Sequence, residues 1–228
     1  MARVSPMLHK NSQKRIYVEG ATYFITSVTY HRYPYFNEPM LAELLVCDLW
    51  FGEALKEFEL YGYNVLPDHM HLLIQPMGRA NYSDIMGTLK RNVARDINNM
   101  MTGRPFIRNL ESRGDDSNRR LRMNFQKTKT AHPSLAAETY ELHFRSLSNL
   151  RERFLRRFGE APNIPRFRWQ KSFRDHIIRN GRDFDNHLDY IYNNAVKHRL
   201  ADEPEDWPWM WVYGMSLPSL TETSEVNA

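Results

Sequence analysis

Two histidines one residue apart, His69 and His71, sit inside the apolar stretch YGYNVLPDHMHLLIQP, residues 61–76. A β-strand sends residues i and i+2 to the same face, so a strand here presents both imidazoles side by side while Met70 and Leu72 enter the core. Two imidazoles without partners are costly on an apolar strand, and the pair has plausible partners downstream. The stretch HLDYIYNNAVKHRL, residues 187–200, supplies them. On a helix Tyr190 and Asn194 are four apart and share a face, with His187 and Lys197 near the same side. A tyrosine hydroxyl can attack phosphorus and form a covalent phosphotyrosine. Phenols ordinarily titrate near about 10, so a nearby cation or proton acceptor has to help. Two imidazoles and an amide oxygen, from His69, His71 and Asn194, can hold a divalent metal ion and leave positions for phosphate oxygens and water. Taken in isolation, the same residues also fit two packed tyrosines, Tyr190 and Tyr192, and a capping asparagine.

The elements that must position these groups follow from pattern. Thr22 to Tyr30 is β-branched and aromatic and reads as a strand. Pro39 opens an amphipathic helix carrying Leu41, Leu44, Leu45, Leu49 and Leu55. YGYNVL and HMHLLIQ read as two strands joined at the Pro67–Asp68 turn. The β-α-β-β order is half of a ferredoxin-like or palm-like sandwich, an α+β fold with an antiparallel sheet and helices packed on it. Ile85, Leu89, Val93 and Ile97, each four apart, mark a second helix, with Lys90, Arg91 and Arg95 on its other faces. Residues 102–165 break the rhythm and read as a basic, partly helical insertion rather than a second core. RFRWQKSFRDHIIRN, residues 166–180, has strand or helix-onset character. Phe184, Leu188, Ile191 and Val196 trace the stripe of a last helix, and residues 200–228, with DWPWMW, form a closing segment and tail. A single domain over residues 1–228 is expected.

Composition narrows the classes. The 228 residues are 42% hydrophobic and 13% aromatic, which fits a folded globular domain. A lone cysteine, Cys47, excludes an intramolecular disulfide and points to a reducing compartment. No apolar run approaches the roughly 18 residues of a membrane span. The first 20 residues lack the apolar segment of a secretory signal, so a cytoplasmic protein with no membrane partner is expected. The net charge is +4 with a pI near 9.1, and arginines crowd the stretch from Arg104 to Arg157. Such a stretch can follow a phosphate backbone or can be solvated surface, and charge alone does not decide.

LPDHMHLLI, then WQKSFRDHIIRN, HLDYIYNNAVKHRL and PEDWPW in that order, resemble the HUH single-tyrosine transposases, in particular the REP-associated tyrosine transposases and their insertion-sequence relatives. The resemblance spans Gly20 to about Gln75, Tyr82 to about Met100, and Arg168 to Trp209. It implies a palm-like antiparallel sheet, metal ligation by His69 and His71, Tyr190 as nucleophile and Asn194 as a third ligand. The implied activity is that of a single-stranded DNA endonuclease and strand transferase, working through a 5′-phosphotyrosine with Mg²⁺ or Mn²⁺. The implied partner is single-stranded, hairpin-forming DNA, with a homodimer possible and Tyr190 acting in its own subunit or in a partner. Lys90, Arg91, Arg95 and Lys197 are candidate phosphate contacts. The chain departs from the family where Ala195 stands in place of a common proline, where Arg174 replaces an aromatic, and in its long insertion. Alternatives are a domesticated HUH nuclease acting on repetitive hairpin DNA, or an inactive DNA-binding protein. A zinc hydrolase would need further ligands at zinc spacing, and none stands out.

Overall fold

A pattern of alternating strand and helix signals has to resolve into layers, and here it gives one sheet with helices on both faces. The structure, a computed structural model, describes residues 15–54, 58–104, 106, 133–159 and 163–216. The elements run β1 (Tyr23–Val28), two 3-10 turns (Tyr30–Arg32 and Tyr35–Asn37), α1 (Pro39–Ala54), β2 (Phe58–Leu66), β3 (His69–Pro76) and α2 (Tyr82–Met101). They continue with α3 (Pro133–Phe158), β4 (Arg174–Ile177), α4 (Gly181–Lys197), a 3-10 turn (Pro204–Asp206) and β5 (Met210–Val212). The five strands lie in the order β4-β1-β3-β2-β5, every neighbouring pair antiparallel. This is the expected α+β fold.

Alternation along the strands divides the two faces. Tyr23 and Ile25 of β1 and Met70, Leu72 and Ile74 of β3 enter one large core with α1, α2 and α3. The opposite face carries Leu73, Met210 and Val212 and is covered by α4 through Ile191, Phe184 and Leu188. In β2 the register slips by one residue between Leu60, which pairs with Ile74, and Gly62, which pairs with Leu73. A bulge of one residue reverses the alternation beyond it. Phe58 and Leu60 before the slip, and Tyr63 and Val65 after it, therefore all reach the large core. Gly62 and Asn64 are turned toward α4.

One expectation changes. The α1 helix is not amphipathic: every residue from Met40 to Leu49 is buried, because the helix is enclosed by the sheet, α2 and α3. Its two buried acids are met from α3, Glu43 by Arg153 at 3.0 Å and Asp48 by His143 at 3.1 Å. Residues 102–165, expected as a basic insertion, contribute α3 to the main helix layer, where Leu147, Leu150 and Phe154 are core. Arg151 donates to the carbonyl of Gly103, so part of this basic run holds structure together. The arginine-rich stretch at 107–132 lies outside the described residues. The closing segment does more than cover: β5 adds a strand to β2, and the Trp207 indole donates to the Val65 carbonyl at 3.1 Å. Residues 217–228 lie outside the described part.

Candidate metal centre and nucleophile

The antiparallel register builds the floor of the site. Directly paired residues share a face, which lines up Arg174, Thr26, His71, Asn64 and Met210 across the five strands. A second row, His176, Phe24, Leu73, Gly62 and Val212, runs beside it. His69 follows His71 on the same face, and the two rings stand nearly perpendicular with centroids 4.9 Å apart. Met70 and Leu72 go into the core as the alternation requires.

Each imidazole is held by its Nδ1. The His69 Nδ1 bonds Asp68 Oδ1, and Asp68 Oδ2 accepts from Arg32 Nη1 at 2.9 Å. Burial works to raise the Asp68 carboxyl, but the bonds from His69 and Arg32 outweigh it and hold the group below its ordinary value. An ionised carboxylate can only accept, so His69 Nδ1 carries the proton and Nε2 the lone pair. The Thr26 hydroxyl lies 2.9 Å from His71 Nδ1, and His71 Nε2 is buried without a partner among the described residues. With Thr26 accepting, this second lone pair also sits on Nε2. Burial, with His69 and His198 adding like charge, brings His71 down to about 3. Burial also lowers His69, against the opposing pull of Asp68. Both rings are neutral near neutral pH, the form that ligates metal.

The loop behind Asp68 is strained. His31 and Arg32 both have positive φ, 55° and 53°, in a region that non-glycine residues seldom occupy. Bonds from the Thr29 amide and hydroxyl to the Asp68 carbonyl, at 2.8 and 2.9 Å, hold this turn against the strand connection and keep Arg32 at Asp68.

α4 brings the remaining groups. Asn180 caps it by accepting from the Asp183 amide, and no proline interrupts it, since Ala195 is buried inside a helix that runs to Lys197. Gly62 lets it lie close: a Cβ there would come within 3.3 Å of the Trp211 carbonyl and the Val212 side chain and 3.4 Å of Leu188. Asn64 Nδ2 donates to the Ile191 carbonyl at 2.8 Å, fixing to the floor the turn that carries Tyr190. The Tyr190 ring meets His71 edge to face at 5.1 Å and Phe24 at 5.7 Å. Tyr190 is 36% exposed. The neighbouring Tyr192 hydroxyl is bonded to Glu205 instead.

Asn194 is fully buried, and neither its oxygen nor its nitrogen has a partner among the described residues. The Asn64 oxygen is in the same condition. A buried polar atom left unpaired costs about 1–3 kcal/mol, and of these atoms the two amide oxygens and His71 Nε2 carry lone pairs of the kind a divalent cation takes. The residues fit a divalent cation.

The candidate phosphate contacts divide. Lys197 Nζ lies 5.4 Å from the Tyr190 ring centroid, beside the candidate nucleophile. Lys90, Arg91 and Arg95 are on α2, which packs on the face of the sheet opposite α4. Lys90 donates to the carbonyls of Gln170 and Ser172 at 2.8 and 3.2 Å, and burial, with Arg15 adding, lowers it to about 8. Arg95 grips Asp96 with two bonds of 2.8 Å, while Arg91 is exposed and bonds Thr88. Four contributors were not singled out from sequence: Thr26, Asp68, Asn64 and His198. The His198 ring, one residue past α4, is 5.9 Å from that of His69. Asp68 was flagged only as a turn former, and the polar Asn64 inside an apolar strand was the one signal of its kind.

Parts of the chain are similar to known proteins. Residues 17–107 match the family described as Transposase IS200 like. Over that span the chain is similar to the IS200-like transposases. The matched span holds β1 to α2 with both histidines and ends before Tyr190. A Haemophilus influenzae protein with the provisional name REP-associated tyrosine transposase is 27% identical over 205 residues, 87% of this chain and 84% of that protein. The REP-associated tyrosine transposase of Escherichia coli strain K12 is 49% identical over 41 residues, 18% of this chain and 25% of that protein. A solved structure of a REP-associated tyrosine transposase bound to a REP hairpin aligns at a TM-score of 0.43 and 20% identity, over 88% of this chain and 81% of that one. No helix among the described residues is long and apolar enough to cross a membrane.

Proposed function

We propose that this chain is a metal-dependent transposase that cuts and rejoins single-stranded DNA through a 5′-phosphotyrosine on Tyr190. The observation that carries the reading is the placement of Tyr190 against His71 on a floor where both histidines are anchored by Nδ1 and leave Nε2 for a ligand. His69, His71 and the Asn194 oxygen would hold the ion, with His198 the alternative third ligand because of its approach to His69. When bound, a divalent cation polarises a phosphate and offsets charge on a leaving oxygen. Two imidazoles favour Mn²⁺, while phosphate, water and an amide oxygen make Mg²⁺ workable.

Tyr190 gives up its hydroxyl proton and attacks the scissile phosphorus. The bond from phosphorus to the 3′ oxygen breaks, leaving a free 3′-OH and the 5′ phosphate on the tyrosine. A 3′-OH from another end reverses the exchange and releases Tyr190, so no nucleotide cofactor is consumed. Lys197, beside the ring, meets the phosphate charge. The substrate proposed is single-stranded DNA next to a hairpin, as the similarity to REP-associated tyrosine transposases over most of the chain favours.

The test is incubation with end-labelled single-stranded hairpin DNA from the flanks of its own gene, with Mn²⁺ or with EDTA. A covalent adduct that needs the metal, keeps the downstream fragment and is lost in Tyr190→Phe supports the reading. Binding without an adduct under any metal refutes it and leaves a DNA-binding protein.

A further inference from the structure

A second set of ligating side chains lies beside the first. His176 on β4 and Asp183 and His187 on α4 bring their donor atoms within 4.8 Å of one another. Among the described residues no other group of three or more His, Cys, Asp or Glu converges in this way. His176 Nε2 is 3.0 Å from Asp183 Oδ2, and His187 Nδ1 is 3.3 Å from Asp183 Oδ1. The two rings stack with centroids 4.7 Å apart.

We infer that His176, Asp183 and His187 form a second divalent-cation site that takes Zn²⁺ and clips the start of the tyrosine helix to β4. The distances carry this. A tetrahedral ion with bonds of 2.0–2.1 Å holds its donors about 3.3 Å apart; each imidazole already lies 3.0 or 3.3 Å from one oxygen of the carboxylate, and no donor pair is more than 4.8 Å apart. Two imidazoles and one carboxylate are a donor set for zinc or its neighbours in the first transition row, and i,i+4 ligands on one helix face are a common way to present it. Asp183 Oδ2 is shared among His176 and the Arg179 amide and guanidinium, whereas Oδ1 meets only His187 and keeps lone pairs for an ion. On binding, each neutral imidazole ligates through the nitrogen that faces Asp183 and carries its proton on the other, Nδ1 of His176 and Nε2 of His187. The Asp183 carbonyl, which accepts from His187 at 2.7 Å, keeps its place in the helix ladder.

The site is separate from the His69–His71 centre. The Phe24 ring packs against both, 5.3 Å from His71 and 4.7 Å from His187. Two-metal catalytic centres keep their ions about 3.5–4 Å apart with shared ligands, and no side chain is shared here. The role is positional: His187 is one turn before Tyr190, so an ion that fixes His187 and Asp183 to β4 fixes the approach of Tyr190 to His71.

The test is metal counting on the full chain stripped by chelator, using Co²⁺ as a visible probe and Zn²⁺ as competitor. Wild type should bind two ions. His176→Ala and His187→Gln should each lose one, along with the Zn²⁺-dependent rise in melting temperature. His69→Ala with His71→Ala should lose the other ion and keep that rise. Circular dichroism checks that each variant is folded, and Asp183→Asn, which keeps the shape of the first turn, guards against loss of structure. An unchanged count and an unchanged Zn²⁺ shift in folded His176→Ala and His187→Gln overturn the site and leave a hydrogen-bond cluster. An unchanged count in the His69 and His71 variant would instead sink the metal centre proposed for catalysis, leaving this site standing.

Discussion

Thr26→Val tests the anchoring of His71 directly. Valine keeps the β-branch that suits a strand and matches threonine in shape, so the change removes one hydroxyl 2.9 Å from His71 Nδ1 and little else. The buried Nδ1 proton then has no acceptor, a loss of about 1–3 kcal/mol in stability. Removing an outer partner of a metal-bound histidine typically weakens metal affinity about 10- to 100-fold. That corresponds to about 1.4–2.7 kcal/mol in binding. The assay is titration of chelator-stripped protein with Mn²⁺, following the electron paramagnetic signal of the free ion. It is run in a His176→Ala background so that one centre is counted. Tight binding that survives Thr26→Val within about twofold, while His71→Ala abolishes it, would refute the reasoning. Stacking on Phe24, at 5.3 Å and 16°, would then be what orients the ring.

Other outcomes follow from the same geometry. Gly62→Ala should crowd β5 at Trp211 and Val212 and press on Leu188 of α4, costing about 1–3 kcal/mol in a denaturant titration and slowing DNA cleavage more than it weakens DNA binding. Lys90→Met should lower the melting temperature, by about 1 kcal/mol of stability, yet leave single-stranded DNA affinity and its salt slope nearly unchanged, because the ammonium is bound to the Gln170 and Ser172 carbonyls. In metal-free protein the His71 ring is neutral when folded and takes a proton near 6.5 when unfolded, so the unfolded chain binds more protons between those values. Stability should therefore fall as pH drops from about 6.5 toward about 3, by at most about 1.4 kcal/mol per unit from this group, and be flat above. Urea titrations across that range check the slope, which His71→Asn should reduce.

The site was legible where the signal was local. His69 and His71 share a face by strand alternation, and Tyr190 and Asn194 by helix spacing, so period alone placed each pair. What the sequence hid depends on registers between distant strands. Thr26 meets His71 only because β1 pairs with β3 in one register, and Asn64 comes under Ile191 only because the slip at Tyr61 turns it over. The role of α3 was hidden for another reason. Its arginines read as a solvated or DNA-facing run, but Arg153 answers a glutamate buried in α1, more than a hundred positions earlier. The partners of Lys90 were hidden similarly, since a lysine in a helix pattern carries no sign that two carbonyls from a later loop will meet it.

The sheet's two outer strands are β4 and β5, and they flank α4 in the chain. The tyrosine helix is thus a strap buckled to both rims of the sheet, by the short link 178–180 at one end and residues 198–209 at the other. During synthesis the histidine floor can assemble from β1, β2 and β3, but the strap closes only when β5 has left the ribosome. A nascent or C-terminally truncated chain would hold the histidine floor without the fastened helix that brings Tyr190 to it. The same double fastening bears on exchange of the helix between two copies: lending out α4 means opening both rims at once, or carrying both outer strands along.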